Sequence, residues 1–344
     1  MNIVVLAGGY STEREVSLTS GSLVANALMR IGHRVLLLDS YLGTEVEGDV
    51  LSLFQNEREY HYAVSQSVPD LALLREQSGN GESLIGKNVA RICHAADVVF
   101  NAHHGGAGED GRLQGWLDCE GIRYTGTGAI GAALSMDKDI TKRILRRAGV
   151  ATPDWVVIEP QNETNACERA LAAIGLPCVV KPVCGGSSVG VSIVENEQQL
   201  KEAIAAGAAY EHRLIVEKKI EGREVTVGVL DGRALPIVEI IPHSGFYDYH
   251  NKYQAGCATE LCPAPLDAAK TEQLQSLTLR AFEALQLRGY ARFDYMLDEQ
   301  GTPWCLEGNA LPGMTPTSLL PQMAQAVDMS YDALCDTIVR MALE

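Results

Sequence analysis

The first forty residues restrict the fold more than any other stretch. Ile3–Leu6 is an apolar run that stops at Gly8-Gly9. Ser11-Thr12-Glu13-Arg14-Glu15 then opens a helix reaching about Arg30, and Arg34–Leu38 is the next apolar run. Strand, glycine turn, helix and strand in that order imply a parallel sheet with crossover helices. The turn in this opening lacks Gly-x-Gly-x-x-Gly, so a dinucleotide fingerprint is not supported there. Thr12 and Glu15 have the spacing of a capping box. Glu13 has two readings: a first-turn acid that complements the helix dipole, or a carboxylate at the mouth of a site, aimed at a ligand ammonium.

Residues 41–87 are polar and weakly patterned, an irregular excursion with a loop tip near Gly79. Asp97–Ala102 reads as another buried strand, ending in His103-His104-Gly105-Gly106-Ala107-Gly108-Glu109-Asp110-Gly111. A loop at the carboxyl end of a parallel strand is where α/β folds bind ligands. Adjacent side chains on a strand diverge, which weighs against the two histidines sharing a metal.

A helix is expected from Ser135-Met136-Asp137-Lys138 to about Ala148, stopped by Gly149 and Pro153. A second unit follows, with a strand at Trp155–Ile158, a helix at Glu163–Ile174 and a strand at Cys178–Val180 that enters Lys181-Pro182. The segment 183–191 holds three glycines and two serines, and its free backbone N–H groups can fold over phosphate as a nest. Lys138 and Lys181 at nearby element ends favour that reading over a plain flexible turn. Leu214–Lys218 and Val225–Leu230 are strands, and Asp231-Gly232 is a strong hairpin turn. Glu217 and Glu224 are either surface acids or acceptors for a nucleotide's amino and hydroxyl groups. The aromatic segment Phe246–Tyr253 reads as a loop packed onto something, a candidate closing lid.

Arg292–Leu297 and Pro303–Leu306 read as a hairpin turned by Asp298–Gly301, with a helix at Ala268–Leu285 before it and one at Tyr331–Leu343 closing the chain. Polar groups stand where a core strand should be apolar. Glu307 and Asn309 share a face if the extended conformation persists, and Asp294 on the partner strand can face them. Two carboxylates and an amide oxygen suit a hard cation, and Mg²⁺ is the natural one. The opposing reading is a solvated hairpin with scattered acids, and the shaped loop Pro312-Gly313-Met314-Thr315 just beyond argues against it.

The chain of 344 residues has room for two or three domains. Its formal net charge of -16 argues against nucleic acid or an anionic membrane as a partner. Any phosphate site must therefore be built locally. Nine cysteines, odd in number and without a C-x-x-C pair, indicate reduced thiols in a cytoplasmic protein. No signal peptide or transmembrane segment is expected.

Taken together these motifs resemble the D-alanine–D-alanine ligases of the ATP-grasp superfamily, nearly end to end. The resemblance rests on Gly8-Gly9-x-Ser11-x-Glu13-Arg14-Glu15-Val16-Ser17, Gly108-Glu109-Asp110-Gly111, Met136-Asp137-Lys138, and Lys181-Pro182 with Gly186-Ser187-Ser188-Val189-Gly190. It rests equally on Phe246-Tyr247-Asp248-Tyr249 with Lys252-Tyr253, Arg292-x-Asp294, Glu307-x-Asn309, and Pro312-Gly313-Met314-Thr315-x-x-Ser318-Leu319. Departures fall at the long 41–90 region, at Gly105-Gly106-Ala107, which lacks a basic residue found in some members, and at Gly308 and Ala310.

The resemblance implies an α/β, three-domain ATP-grasp fold. Its parts are an N-terminal parallel-sheet domain (1-126), a small central α/β domain (127-217) and a C-terminal α+β domain (218-344). It implies Lys138, Lys181, Ser188, Glu217, Lys218, Glu224 and Lys252 as ATP-binding residues. Asp294, Glu307 and Asn309 would hold two Mg²⁺, with Mn²⁺ as a substitute. Glu13 and His104 would bind the first D-alanine, Arg292 and the Gly313 amide would stabilise the oxyanion, and Ser318 and Leu319 would receive the second D-alanine. Glu13, Ser187 and Tyr253 would tie the lids shut. The implied product is D-alanyl-D-alanine for peptidoglycan synthesis, made by a homodimer. D-serine or D-lactate as second substrate is the alternative, and a Tyr at position 253 goes with D-alanine.

Overall fold

A computed structural model describes residues 1–62, 69–186, 189–243 and 258–344. The chain opens with β1 (Asn2–Ala7), α1 (Arg14–Arg30), β2 (Arg34–Asp39), α2 (Leu71–Ser78), α3 (Val89–His94), β3 (Val98–Asn101) and α4 (Arg112–Glu120). The three strands form one parallel sheet in the order β2-β1-β3, as the opening residues require. The capping box does not form. Glu13 itself is the N-cap of α1 without a side-chain cap bond, Ser11 Oγ accepts the Glu13 N–H, and Glu15 accepts from Tyr62 Oη. The helix starts one residue later than the Thr12 spacing demands.

Next come α5 (Ala129–Met136), α6 (Lys138–Arg147), β4 (Trp155–Ile158), α7 (Ala166–Ile174), β5 (Cys178–Pro182), β6 (Ser192–Val194), α8 (Glu197–Gly207) and β7 (Leu214–Lys218). The single helix expected from Ser135 is two helices meeting at Asp137, whose carboxylate accepts the Ile140 N–H and caps α6. The four strands form an antiparallel sheet ordered β4-β7-β5-β6. Period-two alternation gives it two unlike faces. Val180, Val194, Leu214 and Val216 are buried with Ala170, Leu200 and Ile204 of α7 and α8. Val179, Lys181, Ile193 and Glu217 point to the other side.

The remaining elements are β8 (Arg223–Leu230), β9 (Arg233–Ala234), β10 (Val238–Pro242), β11 (Ala258–Leu261), α9 (Ala268–Ala284), β12 (Tyr290–Leu297), β13 (Pro303–Asn309), α10 (Leu319–Gln325) and α11 (Tyr331–Met341). Their six-stranded antiparallel sheet runs β11-β10-β8-β12-β13, with β9 on β8. Asp231 and Gly232 both take positive φ in the β8–β9 turn, the type I′ geometry that Asp-Gly favours. Val225, Val227, Phe293 and Tyr295 pack against α9 and against Leu145 of α6. Glu224, Asp294 and Met296 face the opposite side.

The two antiparallel sheets thus each bury one face under helices and turn the other toward a shared cleft. Residues 219–222 join them. Gly222 has φ +155, and a Cβ there would run into the Leu297 carbonyl. The closing α11 returns to the first sheet, where Leu334 and Ile338 share a core with Ile3, Ala25 and Leu28. Arg30 pairs with Asp332 and His33 with Asp336 at that contact.

Candidate functional site

The cleft between the antiparallel sheets encloses a cavity of about 610 Å³. One wall carries Lys181, Glu217 and Lys218, the other Glu224, Asp294 and Glu307, and Lys138 stands between them at the start of α6. Seven residues singled out from the sequence therefore meet in one space.

Glu217 is almost wholly buried, with Lys181 Nζ 2.6 Å from one carboxylate oxygen and Lys142 Nζ 2.8 Å from the other. Burial alone pushes a carboxyl up, but the two ammonium groups outweigh it and hold Glu217 down at about 2. Lys142 was not singled out from the sequence. Its only mark there is the four-residue spacing from Lys138, which puts both on one face of α6. Burial likewise pushes Lys138 below its ordinary value, against the opposing pull of Glu307 4.0 Å away. Lys138 Nζ donates to the Gly185 carbonyl at 2.6 Å, and so touches the glycine-rich segment directly.

The hairpin is longer than the sequence indicated. The strand continues through Asn309, so Glu307 and Asn309 do share a face. Asp294 pairs in register with Glu307, and Arg292 with Asn309. The register shifts between Asp294 and Tyr295, a bulge beside the acid cluster. Arg292 holds Asp294 with two bonds of 2.9 Å, and Thr226 Oγ1 donates to Asp294 Oδ1 at 2.6 Å. Asn309 Oδ1 accepts the Leu311 N–H at 2.9 Å and keeps a second lone pair. Among the described residues no cluster of three or more His, Cys, Asp or Glu is arranged for a metal. The oxygen set here is two carboxylates and an amide, a hard-cation donor set without nitrogen or sulfur.

Glu13 and His104 lie apart from this cleft lining, on the loops after β1 and β3. Ser11 Oγ donates to the His104 carbonyl and ties the loops together. Gly105, at φ +69, leaves room for the Glu13 carboxylate, which a Cβ would strike. His104 Nε2 is 3.2 Å from Ser20 Oγ, and its Nδ1 is 3.8 Å from Glu109. His103 points elsewhere, to Asn101 and Ser40; burial, with His104 adding to it, pushes it down to about 3, so it is neutral. A smaller cavity of about 150 Å³ opens beside it, lined by Gly9, Tyr10, Gly105 and Trp116. At the far end, Ser318 Oγ accepts the Thr315 N–H and sits against Gly313, while Leu319 begins α10. Met314 and Leu319 join the core that contains Leu18 of α1, which draws this loop toward the first sheet. Ser187, Ser188, Lys252 and Tyr253, with the aromatic segment Phe246–Tyr253, lie outside the described residues.

Two antiparallel sheets clasping a lysine- and carboxylate-lined cleft, behind a parallel N-terminal sheet, define an α/β protein of the three-domain ATP-grasp fold. Models of the D-ala D-ala ligase N-terminus and C-terminus match residues 2–127 and 144–340. The chain belongs to the D-alanine–D-alanine ligase family. It is 39% identical to a D-alanine–D-alanine ligase of Pediococcus pentosaceus, over 98% of this chain and 97% of that one. A solved D-alanine–D-alanine ligase from Bacillus anthracis, complexed with ATP, is similar at 30% identity and a TM-score of 0.76, covering 100% and 97% of the two chains. The VanG D-Ala:D-Ser ligase from Enterococcus faecalis is similar at 27% identity and a TM-score of 0.76, covering 99% of each. No helix among the described residues is long and apolar enough to cross a membrane.

Proposed function

We propose that this chain is an ATP-dependent ligase that joins two D-alanines into D-alanyl-D-alanine through a D-alanyl phosphate, as a step toward peptidoglycan. The observation that carries this reading is the two-walled cleft, where lysines for phosphate and oxygen donors for a hard cation face one space. Full-length similarity to ligases of that name supports it. A carboxylate is a poor acyl donor and needs activation. Lys138 and Lys181 offset the charge of the phosphates, and Lys252 adds to them. Ser188 caps the phosphates, and Glu217, Lys218 and Glu224 take the rest of the nucleotide. Asp294, Glu307 and Asn309 fit two Mg²⁺, or Mn²⁺ in their place, which when bound supply Lewis-acid neutralisation of phosphoryl oxygens.

Glu13 and His104 hold the first D-alanine, and Ser318 and Leu319 receive the carboxylate of the second. Arg292 and the Gly313 N–H stabilise the tetrahedral oxyanion, an effect worth roughly 3–4 kcal/mol per donor. An acyl phosphate hydrolyses readily, so closure over the site by Ser187 and Tyr253, tied to Glu13, excludes water. The working unit is a cytoplasmic homodimer of chains divided at 1-126, 127-217 and 218-344, with no nucleic acid or membrane partner.

The second reading changes only the acceptor to D-serine or D-lactate, and the likeness to VanG favours keeping it in view. A coupled ADP-release assay with D-alanine, then L-alanine, then D-alanine mixed with D-serine or D-lactate separates these. ADP release with D-alanine alone, none with L-alanine and D-alanyl-D-alanine as the main product in the mixtures are expected. Release independent of D-alanine overturns the ligase reading, and a mixed dipeptide or ester as main product moves the assignment to the second.

A further inference from the structure

Lys142 stands behind the cleft rather than in it. It lies one turn beyond Lys138 in α6, has no exposed surface and is not part of the cavity lining. Its Nζ is 2.7 Å from Thr152 Oγ1, 3.1 Å from the Pro153 carbonyl and 2.8 Å from Glu217 Oε2. The first two are hydrogen bonds, and the contact with Glu217 is an ion pair by distance. Glu217 and Lys181, by contrast, do line the cavity, and their contact uses the other carboxylate oxygen.

Stability gives no reason for this arrangement. Buried ion pairs can often be replaced by apolar side chains without loss, because desolvation cancels the attraction. The charge count gives one. Lys181 and Glu217 alone would form a neutral pair, with the ammonium committed to its partner. With Lys142 the cluster carries two cations and one anion, and its net positive charge emerges where Lys181 meets the cavity. The second carboxylate oxygen is also fixed from behind, so Glu217 cannot swing to cover Lys181 with both oxygens.

We propose that Lys142 is a positioning residue of the nucleotide site: it anchors Glu217 and leaves Lys181 with positive charge to spare for a phosphate oxygen. This rests on reading the cleft as the ATP site. The test uses the full chain with Lys142→Met, Lys142→Arg, the double variant Lys142→Met/Glu217→Gln, and Lys181→Met as control. Steady-state kinetics give the KM for ATP and for D-alanine, and calorimetry gives the affinity for inorganic tripolyphosphate, which lacks base and sugar.

Lys142→Met is expected to raise the KM for ATP about tenfold while that for D-alanine moves less than about twofold. Tripolyphosphate should weaken in parallel, and Lys142→Arg should restore most of both. The double variant removes one cation and one anion, keeps the net charge of the cluster and leaves Lys181 unpaired at the cavity; it should bind tripolyphosphate, which lacks the base and sugar, at least as well as the wild type, a comparison that stands even if Lys142→Met alone does not fold. Equal rises in both KM values, an arginine variant no better than methionine, or a double variant that binds tripolyphosphate poorly each overturns the proposal. Unchanged ATP binding in Lys181→Met instead overturns the nucleotide reading. A Lys181→Met defect beside a silent Lys142→Met overturns only the role of Lys142.

Discussion

The two walls of the cleft hold their carboxylates in opposite ways. On the four-stranded wall, Glu217 is sealed, and both its oxygens meet lysines. On the six-stranded wall, Glu307 is half-buried beside Asp294 and Asn309, and Lys138 stands 4.0 Å off. The first arrangement is finished before any ligand arrives and fixes charge in place. The second leaves the Glu307 carboxylate facing the cavity. Preorganised charge and acceptor capacity are different uses of the same residue type, and the surroundings decide which is which.

The contrast breaks most visibly at Glu307. Glu307→Gln should cut ATP-dependent turnover to below about one ten-thousandth, the several kcal/mol that Lewis-acid stabilisation supplies, with an unchanged melting temperature. Retained turnover would remove Glu307 from the cation set. At Glu217 the loss should instead fall on the fold. Glu217→Leu strands Lys142 without its counter-ion and should cost roughly 3–5 kcal/mol in urea unfolding.

Acid sharpens the same difference. Glu217 sits at about 2, below the ordinary 4.5 of a glutamate, so its ionised form is favoured in the folded chain. Its contribution is whole above about pH 4.5 and fades as pH falls toward 2, on the order of a few kcal/mol across that window. Urea midpoints of the wild type and Glu217→Gln should therefore converge as the buffer is taken from about pH 6 toward about pH 3; a constant gap would contradict the ion-pair account. The smallest effect belongs to Thr226→Val, which removes the hydroxyl that orients Asp294 and should raise the Mg²⁺ needed for half-maximal activity about tenfold.

The acid cluster was legible in the sequence because polar residues at strand spacing betray themselves against an apolar background. Asp294, Glu307 and Asn309 needed only the period of two and a hairpin turn to be placed together. Lys142 was not legible, since a lysine between Thr141 and Arg143 looks like any solvated helix position. Only the tertiary placement of α6 against Thr152 and Glu217 reveals it. The helix boundary at Asp137 was missed for a related reason: capping is a local choice that Ser135-Met136-Asp137-Lys138 permits at more than one residue. The parallel opening was readable, because strand, glycine turn and helix leave few topologies, yet the capping box at Thr12 lost to the bond between Ser11 and Glu13.

The short connection 219–222 has a mechanical consequence. It lines the cavity and also joins the two sheets, with Gly222 pressed on Leu297. Whatever fills the cleft therefore touches the connection itself. A molecule held there braces both sheets through the link they share.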